Sequence, residues 1–302
     1  MTKTIRRSPL FYVGDKYKLM NQLINFFPKK VNTFFEPFVG GGTVFLNVNA
    51  KKYYLSDCDK NLINIHQCLI KHSDKQAAFF NKIENLAHKY NLSRSYKEDI
   101  VPDALKRRWK KTYFARFNKA GYEKLKERLN SNLRAKDPLV MYMLLIYGFN
   151  RMLRFNGGGK FNLPVGNVDF NKNVASALND YFDFVSNKRI ELTAGDFRTF
   201  FSNKKYSRDD FVYLDPPYLI TASEYNKFWD RTAESDLLAL IDKLHLHGVK
   251  FALSNVTHYN GNRNGLLLTW MRKYQVHKIN SNYINYHNNS KKKIKEVLIT
   301  NY

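Results

Sequence analysis

The chain has 302 residues, enough for one large or two modest domains, and carries 50 Lys and Arg against 26 Asp and Glu, a net charge of +24 with histidines neutral. The charged fraction of 25% is ordinary, so acids have been thinned and bases enriched, and a polyanionic partner is implied. A 44% hydrophobic content argues against general disorder, no apolar run approaches the roughly 18 residues that cross a bilayer, and Cys58 and Cys68 lack zinc or disulfide spacing.

The N-terminal MTKTIRRSPLFYVGDKYK has charge but no apolar stretch of a secretory signal, so the expected location is the cytoplasm, with both thiols free and no membrane association. Residues 17–27 predict a helix, since Leu19, Met20, Leu23, Ile24 and Phe27 form a buried stripe closed by Pro28. Residues 33–37 predict a buried strand, 38–43 a glycine loop and 43–48 a helix. A second strand at 52–57 and a helix at 59–70 complete the order of a parallel α/β sheet. Residues 73–135 are polar, lysine-rich and helical, and 138–148 form a more hydrophobic helix. Segments 152–156 and 160–164 flank Gly157-Gly158-Gly159 as a β-hairpin. Strand patterns return at 190–193, 211–214, 249–254 and 297–301, with an amphipathic helix at 237–247. An α/β domain of residues 1–71 and 187–302 is therefore expected, split by a helical and hairpin insertion at 72–186.

Gly40-Gly41-Gly42 follows a strand and opens the predicted helix, so its amide N–H groups can hold an anionic group. Asp57 closes the next strand, the separation at which an acid takes ribose hydroxyls in nucleotide-binding folds. A glycine turn also serves simply as a turn. The loop lacks both the G-x-G-x-x-G and the Lys-Ser/Thr patterns, which disfavours NAD and P-loop nucleotides. A cofactor with a ribose and a carboxylate, S-adenosylmethionine, fits instead.

Asp215-Pro216-Pro217-Tyr218 caps the predicted strand at 211–214. The exocyclic amine of a nucleobase is a poor nucleophile because its lone pair is delocalised into the ring. An acceptor on each amino hydrogen frees that lone pair, and the Asp215 carboxylate with the Pro216 carbonyl supplies two. The prolines fix the turn without adding competing N–H groups. Tyr218 offers a face for a flipped-out base, worth about 1–3 kcal/mol on single-strand platforms. The alternative is a rigid strand exit with a buried tyrosine.

These residues together resemble the bacterial adenine-N6 DNA methyltransferases of the Dam type, the D12 class or alpha group, over nearly the whole chain and in motif order. Residues 10–16 look like the N-terminal cofactor motif, with Tyr12 and Lys16 at its aromatic and lysine positions. Glu36, Pro37, Phe38, Gly40 and Gly42 match the cofactor loop, Asp57 the ribose acid, and Asp196 and Phe197 the segment that holds the adenine. Asp215 to Tyr218 match the catalytic motif, with Asp215 also at a cofactor position, and residues 296–302 are similar to the last strand. The resemblance implies a Rossmann-like class I methyltransferase domain with S-adenosylmethionine as cofactor and an inserted target-recognition domain. It places Asn150, Arg154, Asn156, Lys160, Asn162 and Pro164 against double-stranded DNA, where an arginine pairs with guanine for about 1–3 kcal/mol of discrimination. Phe11 and Val168 stand where readers of GATC tend to have lysine and tyrosine, so no recognition sequence carries over. A restriction–modification setting, with a cognate endonuclease encoded nearby, is implied by resemblance alone.

Arg107, Arg108 and Lys110 in one basic run, and Lys292 in Lys291-Lys292-Lys293, serve either as solvated faces or as phosphate contacts. The histidines show no metal pattern. Adenine-N6 methylation is the leading expectation. The same chemistry on RNA or cytosine N4, and a DNA-binding protein without activity, are the alternatives; the intact Asp215 and Glu36 argue against the last.

Overall fold

The structure, a computed structural model, describes residues 4–202, 204–221, 229–281 and 294–302. Its internal contacts divide the chain into two units, one drawn from Met1–Tyr17, Gly40–Leu46 and Asp59–Lys188, the other from Lys18–Val39, Asn47–Cys58 and Arg189–Tyr302.

The second unit is built on a sheet. Its strands are β1 (Val31–Glu36), β2 (Ala50–Asp57), β3 (Arg189–Ala194), β4 (Phe211–Leu214), β5 (Lys250–Tyr259), the two-residue β6 (Asn262–Arg263), β7 (Gln275–Ile279) and β8 (Ile294–Thr300). The order is β3-β2-β1-β4-β5-β8-β7, with β6 paired to β5. The first five run parallel, and β8 is antiparallel to both β5 and β7. Consecutive buried residues, Phe34-Phe35 in β1 and all four of β4, mark strands covered on both faces. Phe35, Val212, Leu214, Phe251 and Leu253 pack with Leu237 and Ile241 of the helix Arg231–Leu246 and with Phe200 of the helix Phe197–Ser202. Phe27 covers the other face, its ring 5.2 Å from that of Phe211 and 5.6 Å from that of Tyr213. The chain leaves β1 toward β2 on one side, whereas β4 and β5 lie on the other. The strand order thus reverses direction between β1 and β4, the switch point at whose C-terminal end such sheets usually take a ligand.

Two segments differ from expectation. The predicted 43–48 helix is a single 3-10 turn, Phe45–Asn47. The chain must enter β2 at Ala50, and the Tyr53 hydroxyl pins that entry, accepting from Ala50 N–H at 2.8 Å and donating to Val48 O at 2.8 Å. The predicted 17–27 helix is interrupted, with the α-turns Met20–Leu23 between the 3-10 turns Tyr17–Leu19 and Ile24–Phe26.

The first unit is helical, with α-helices at Lys60–Lys71, Gln76–Lys89, Asp103–Arg108, Tyr113–Asn130, Pro138–Tyr147 and Lys172–Val185. Pro138–Tyr147 is apolar all round and buried from Val140 to Tyr147, as such a helix must be. Asp137 caps it, accepting from the Leu139 and Val140 amides, with Pro138 in the first turn where no N–H is missed. The predicted hairpin is two antiparallel arms closed by one ladder pair, Phe155 with Phe161, and by the bonds Asn156 N–H to Lys160 O and Asn162 N–H to Arg154 O. Among the described residues no helix is long and apolar enough to cross a membrane.

Candidate functional site

Parallel strands end on one edge, and that edge of the sheet unit gathers the motif residues. Glu36 ends β1, Pro37 and Phe38 follow it, and Asp57 ends β2. Asp196 and Phe197 follow β3, and Asp215 follows β4. The edge is pinned by Val39 N–H donating to Ser56 O at 2.8 Å and Gly195 N–H to Asp57 O at 3.0 Å.

Asp215 is half-buried, and the Tyr218 hydroxyl stands 3.0 Å from its Oδ1 and 3.2 Å from Oε1 of Glu296, within donating distance of both. Glu36 and Glu296 are buried. All three carboxylates bear on Tyr213, whose phenol is pushed well above its ordinary pKa by burial first and then by Asp215, Glu36 and Glu296. Its hydroxyl is bonded to Ser254 Oγ at 2.8 Å. A chain short of acids concentrates three of them here, an arrangement suited to a substrate or cofactor that brings donors or positive charge.

Beside this lies an aromatic trio. Phe38, Phe197 and Trp229 have ring centroids 5.6 Å apart in each pairing. Trp229 is held by Nε1–H donating at 2.7 Å to Oε2 of Glu234, a buried carboxylate that also accepts from the side-chain amides of Asn255 at 3.1 Å and Asn264 at 3.0 Å. Three donors satisfy that carboxylate and fix the indole. Phe197 is buried, whereas Asp196 is exposed and its carboxylate is paired with Arg198, which also binds Asp236. Trp229 and Glu234 belong to no motif. The nearest signal for them is Asp230 as the cap of the following helix.

In the helical unit the glycine loop continues from Val39. Gly40 and Gly42 have φ of +49° and +84°, which side chains resist. A Cβ on Gly42 would lie 2.5 Å from Phe45 Cε1 and 2.9 Å from His66 Cε1. The Ser8 hydroxyl donates to Gly41 O, and a Cβ on Gly41 would lie 3.1 Å from Cβ of Tyr12. Tyr12 and Lys16 are buried, the lysine Nζ reaching Gly14 O at 3.5 Å. His66 is buried, and burial pulls its pKa down to about 4. The neutral ring donates from Nε2 to Gly40 O at 2.9 Å, so its Nδ1 accepts from the Tyr181 hydroxyl at 3.2 Å. His66 escapes motif reading; its one signal is a histidine within the apolar stripe of Leu62, Ile63, Ile65 and Leu69. Because only a 3-10 turn follows the loop, its own amides, and not the end of a long helix, are what it offers an anion.

The hairpin side chains lie in the same helical unit. Arg154 is half-buried and clamped, its Nε–H donating to Asn162 Oδ1 at 2.9 Å and Nη2–H to Asn162 O at 2.8 Å. Asn156 shapes the turn, its Oδ1 accepting from the Gly158 and Lys160 amides at 3.1 and 3.0 Å. Asn150 (φ +54°), Asn156, Lys160, Asn162 and Pro164 are exposed, as is the neighbouring ring of Phe149. Arg107, Arg108 and Lys110 are exposed at and just beyond the Asp103–Arg108 helix, while Lys106 is paired with Asp99 and Asp103. Lys292 lies outside the described residues. Among the described residues no group of His, Cys, Asp and Glu is placed to hold a metal.

The family model for D12 class N6 adenine-specific DNA methyltransferases matches residues 12–285. The chain is 34% identical over 310 residues to the type II methyltransferase M.FokI of Planomicrobium okeanokoites, covering 100% of this chain and 44% of that protein. It is likewise 34% identical over 313 residues to the modification methylase StsI of Streptococcus sanguinis, again 100% and 44%. A DNA adenine methylase of Haemophilus influenzae is 30% identical over 228 residues, 74% of this chain and 68% of its own. The chain thus spans less than half the length of the first two relatives.

Proposed function

The chain belongs to the D12 class of N6 adenine-specific DNA methyltransferases, and on that premise we propose that it methylates adenine N6 at a specific short sequence in duplex DNA, by base flipping, as the modification enzyme of a restriction–modification system. The carboxylate of Asp215, held by the Tyr218 hydroxyl at the end of β4, carries this reading.

The donor set suits S-adenosylmethionine. Phe38, Phe197 and Trp229 supply an aromatic seat for an adenine, Asp57 an acid for ribose hydroxyls, and Gly40 a loop position open to close backbone approach. When bound, the cofactor supplies a methyl group on a positively charged sulfur. In our reading the protein's part is to prepare the nucleophile. One N6–H donates a hydrogen bond to the Asp215 carboxylate and the other to the Pro216 carbonyl, which draws the nitrogen toward a pyramidal shape and frees its lone pair. The ring of Tyr218 stacks on the flipped base while its hydroxyl fixes Asp215. Arg154, preset by Asn162, reads a base edge, and Asn150, Lys160 and Pro164 line the same surface. Arg107, Arg108 and Lys110 add phosphate contacts. We infer a bacterial cytoplasmic setting from that substrate, with a cognate endonuclease encoded nearby and not required as a subunit.

The test is a map of N6-methyladenine on plasmid DNA from a host lacking that modification, expressing either the wild-type chain or Asp215→Ala. Methylation at one short motif, lowered at least a hundredfold in the variant with cofactor affinity retained, is expected. Near-normal methylation by the variant would sink the mechanism. Methylation of RNA or cytosine, or DNA binding without transfer by folded wild-type protein, would replace the function.

A further inference from the structure

Among the positive-φ non-glycine residues of the helical unit, Phe11, Asn150 and Arg151 are held at φ of +47°, +54° and +49°. Each such residue costs of order 1–3 kcal/mol, and such strain collects at functional sites. The two segments are tied by Val13 N–H donating to Arg151 O at 3.3 Å. The result is a pair of like charges on one ring: the Arg7 and Arg151 guanidinium carbons lie 4.1 and 4.3 Å from the centroid of Phe11, and that of Arg7 is also 4.7 Å from Tyr17.

Neither guanidinium has an ion pair among the described residues, and the Nε of each is shut from solvent without a hydrogen-bond partner. Burial and the charge of Arg7 both lower the pKa of Arg151, while Asp15 and Asp169 act on it only from beyond ion-pair distance. Asp15 is itself pushed up by burial. The ring offsets part of the repulsion, but neither half-buried cation has the anion that buried charges ordinarily keep. Both residues are half-buried. Arg151 directly follows the exposed Asn150 and lies three residues before Arg154.

We propose that Arg7 and Arg151, gathered on Phe11, form a seat for one phosphate of the DNA backbone beside the recognition residues. This rests on the DNA-methyltransferase reading. Two planar guanidinium groups held on one ring match a phosphodiester's oxygens better than a lone lysine would, and the aromatic platform keeps them ordered before DNA arrives. The seat fixes register and carries no sequence information of its own.

The experiment measures binding of the full chain to target and unrelated duplexes across a salt series, for wild type, Arg7→Gln, Arg151→Gln and Arg151→Lys, with S-adenosylmethionine affinity determined separately. Each glutamine variant is expected to weaken binding to both duplexes alike, to lower the slope of log K against log salt by about 0.9, and to leave cofactor affinity unchanged. Arg151→Lys should keep the slope. A second measurement needs no variant: either duplex should protect Arg7 and Arg151 of wild type from phenylglyoxal, and S-adenosylmethionine alone should not. An unchanged slope with no protection overturns the proposal. So does protection by the cofactor alone, which would assign the anion to its carboxylate, or a loss confined to the target sequence, which would make these residues base readers. If wild type bound no duplex at all, the reading beneath the proposal would fail instead.

Discussion

The proposed mechanism gives Tyr218 two separable roles in one side chain. Its ring would stack on a base, and its hydroxyl lies within reach of Asp215 and Glu296. Hydrogen bonds to charged groups contribute about 1.5–3 kcal/mol, so Tyr218→Phe should lower the single-turnover rate roughly ten- to a hundredfold while leaving DNA and cofactor affinity near wild type. Tyr218→Ala should lose base stacking as well and weaken binding. A wild-type rate for Tyr218→Phe would show that Asp215 needs no such restraint. The ring's proposed role comes from the motif, where side-chain type and neighbours suggest it, and the hydroxyl's contacts come only from the fold. The contact with Glu296 was not legible, since that residue lies 78 residues away in sequence and meets the hydroxyl only through β8.

The glycine loop separates space from backbone conformation. At Gly40 a Cβ would meet nothing within 4 Å, so only its positive φ opposes a side chain; at Gly42 the same strain is joined by the rings of Phe45 and His66. Gly40→Ala should cost about 1–2 kcal/mol of stability, and Gly42→Ala about 2–3 kcal/mol or more together with a larger loss of cofactor affinity. Urea unfolding and calorimetric titration would check the order, and its reversal would mean the loop is not held as described. Element by element, legibility followed burial. The fully buried strand FVYL and the apolar helix Pro138–Tyr147 stand out in sequence because contiguous apolar runs leave little choice. The edge strand QVHKI, exposed at most positions, carries no pattern of its own and exists through pairing with β8. The seat at Phe11 was invisible for a related reason: Arg7 and Arg151 are 144 positions apart, and neither sits in a motif.

Over the whole molecule the +24 charge is not spread evenly in effect. Some lysines are already answered within the fold, as Lys106 is by Asp99 and Asp103, whereas Lys110 is exposed a few residues on. Neighbours in one basic run should therefore behave differently toward DNA. Lys110→Ala should weaken binding on all sequences and reduce the salt slope by about one, and Lys106→Ala should change it little. Equal effects would show that the run acts as a diffuse field and not through individual contacts.

The chain has three tryptophans, and Trp229 alone sits with Phe38 and Phe197, its indole N–H locked onto Glu234. An indole so immobilised, with its polar end committed to a buried carboxylate, should shift its emission when a ligand settles against Phe38 and Phe197. On the proposed reading the protein thus contains its own optical gauge of cofactor binding, and replacing Trp109 and Trp270 with phenylalanine would leave Trp229 as its single emitter.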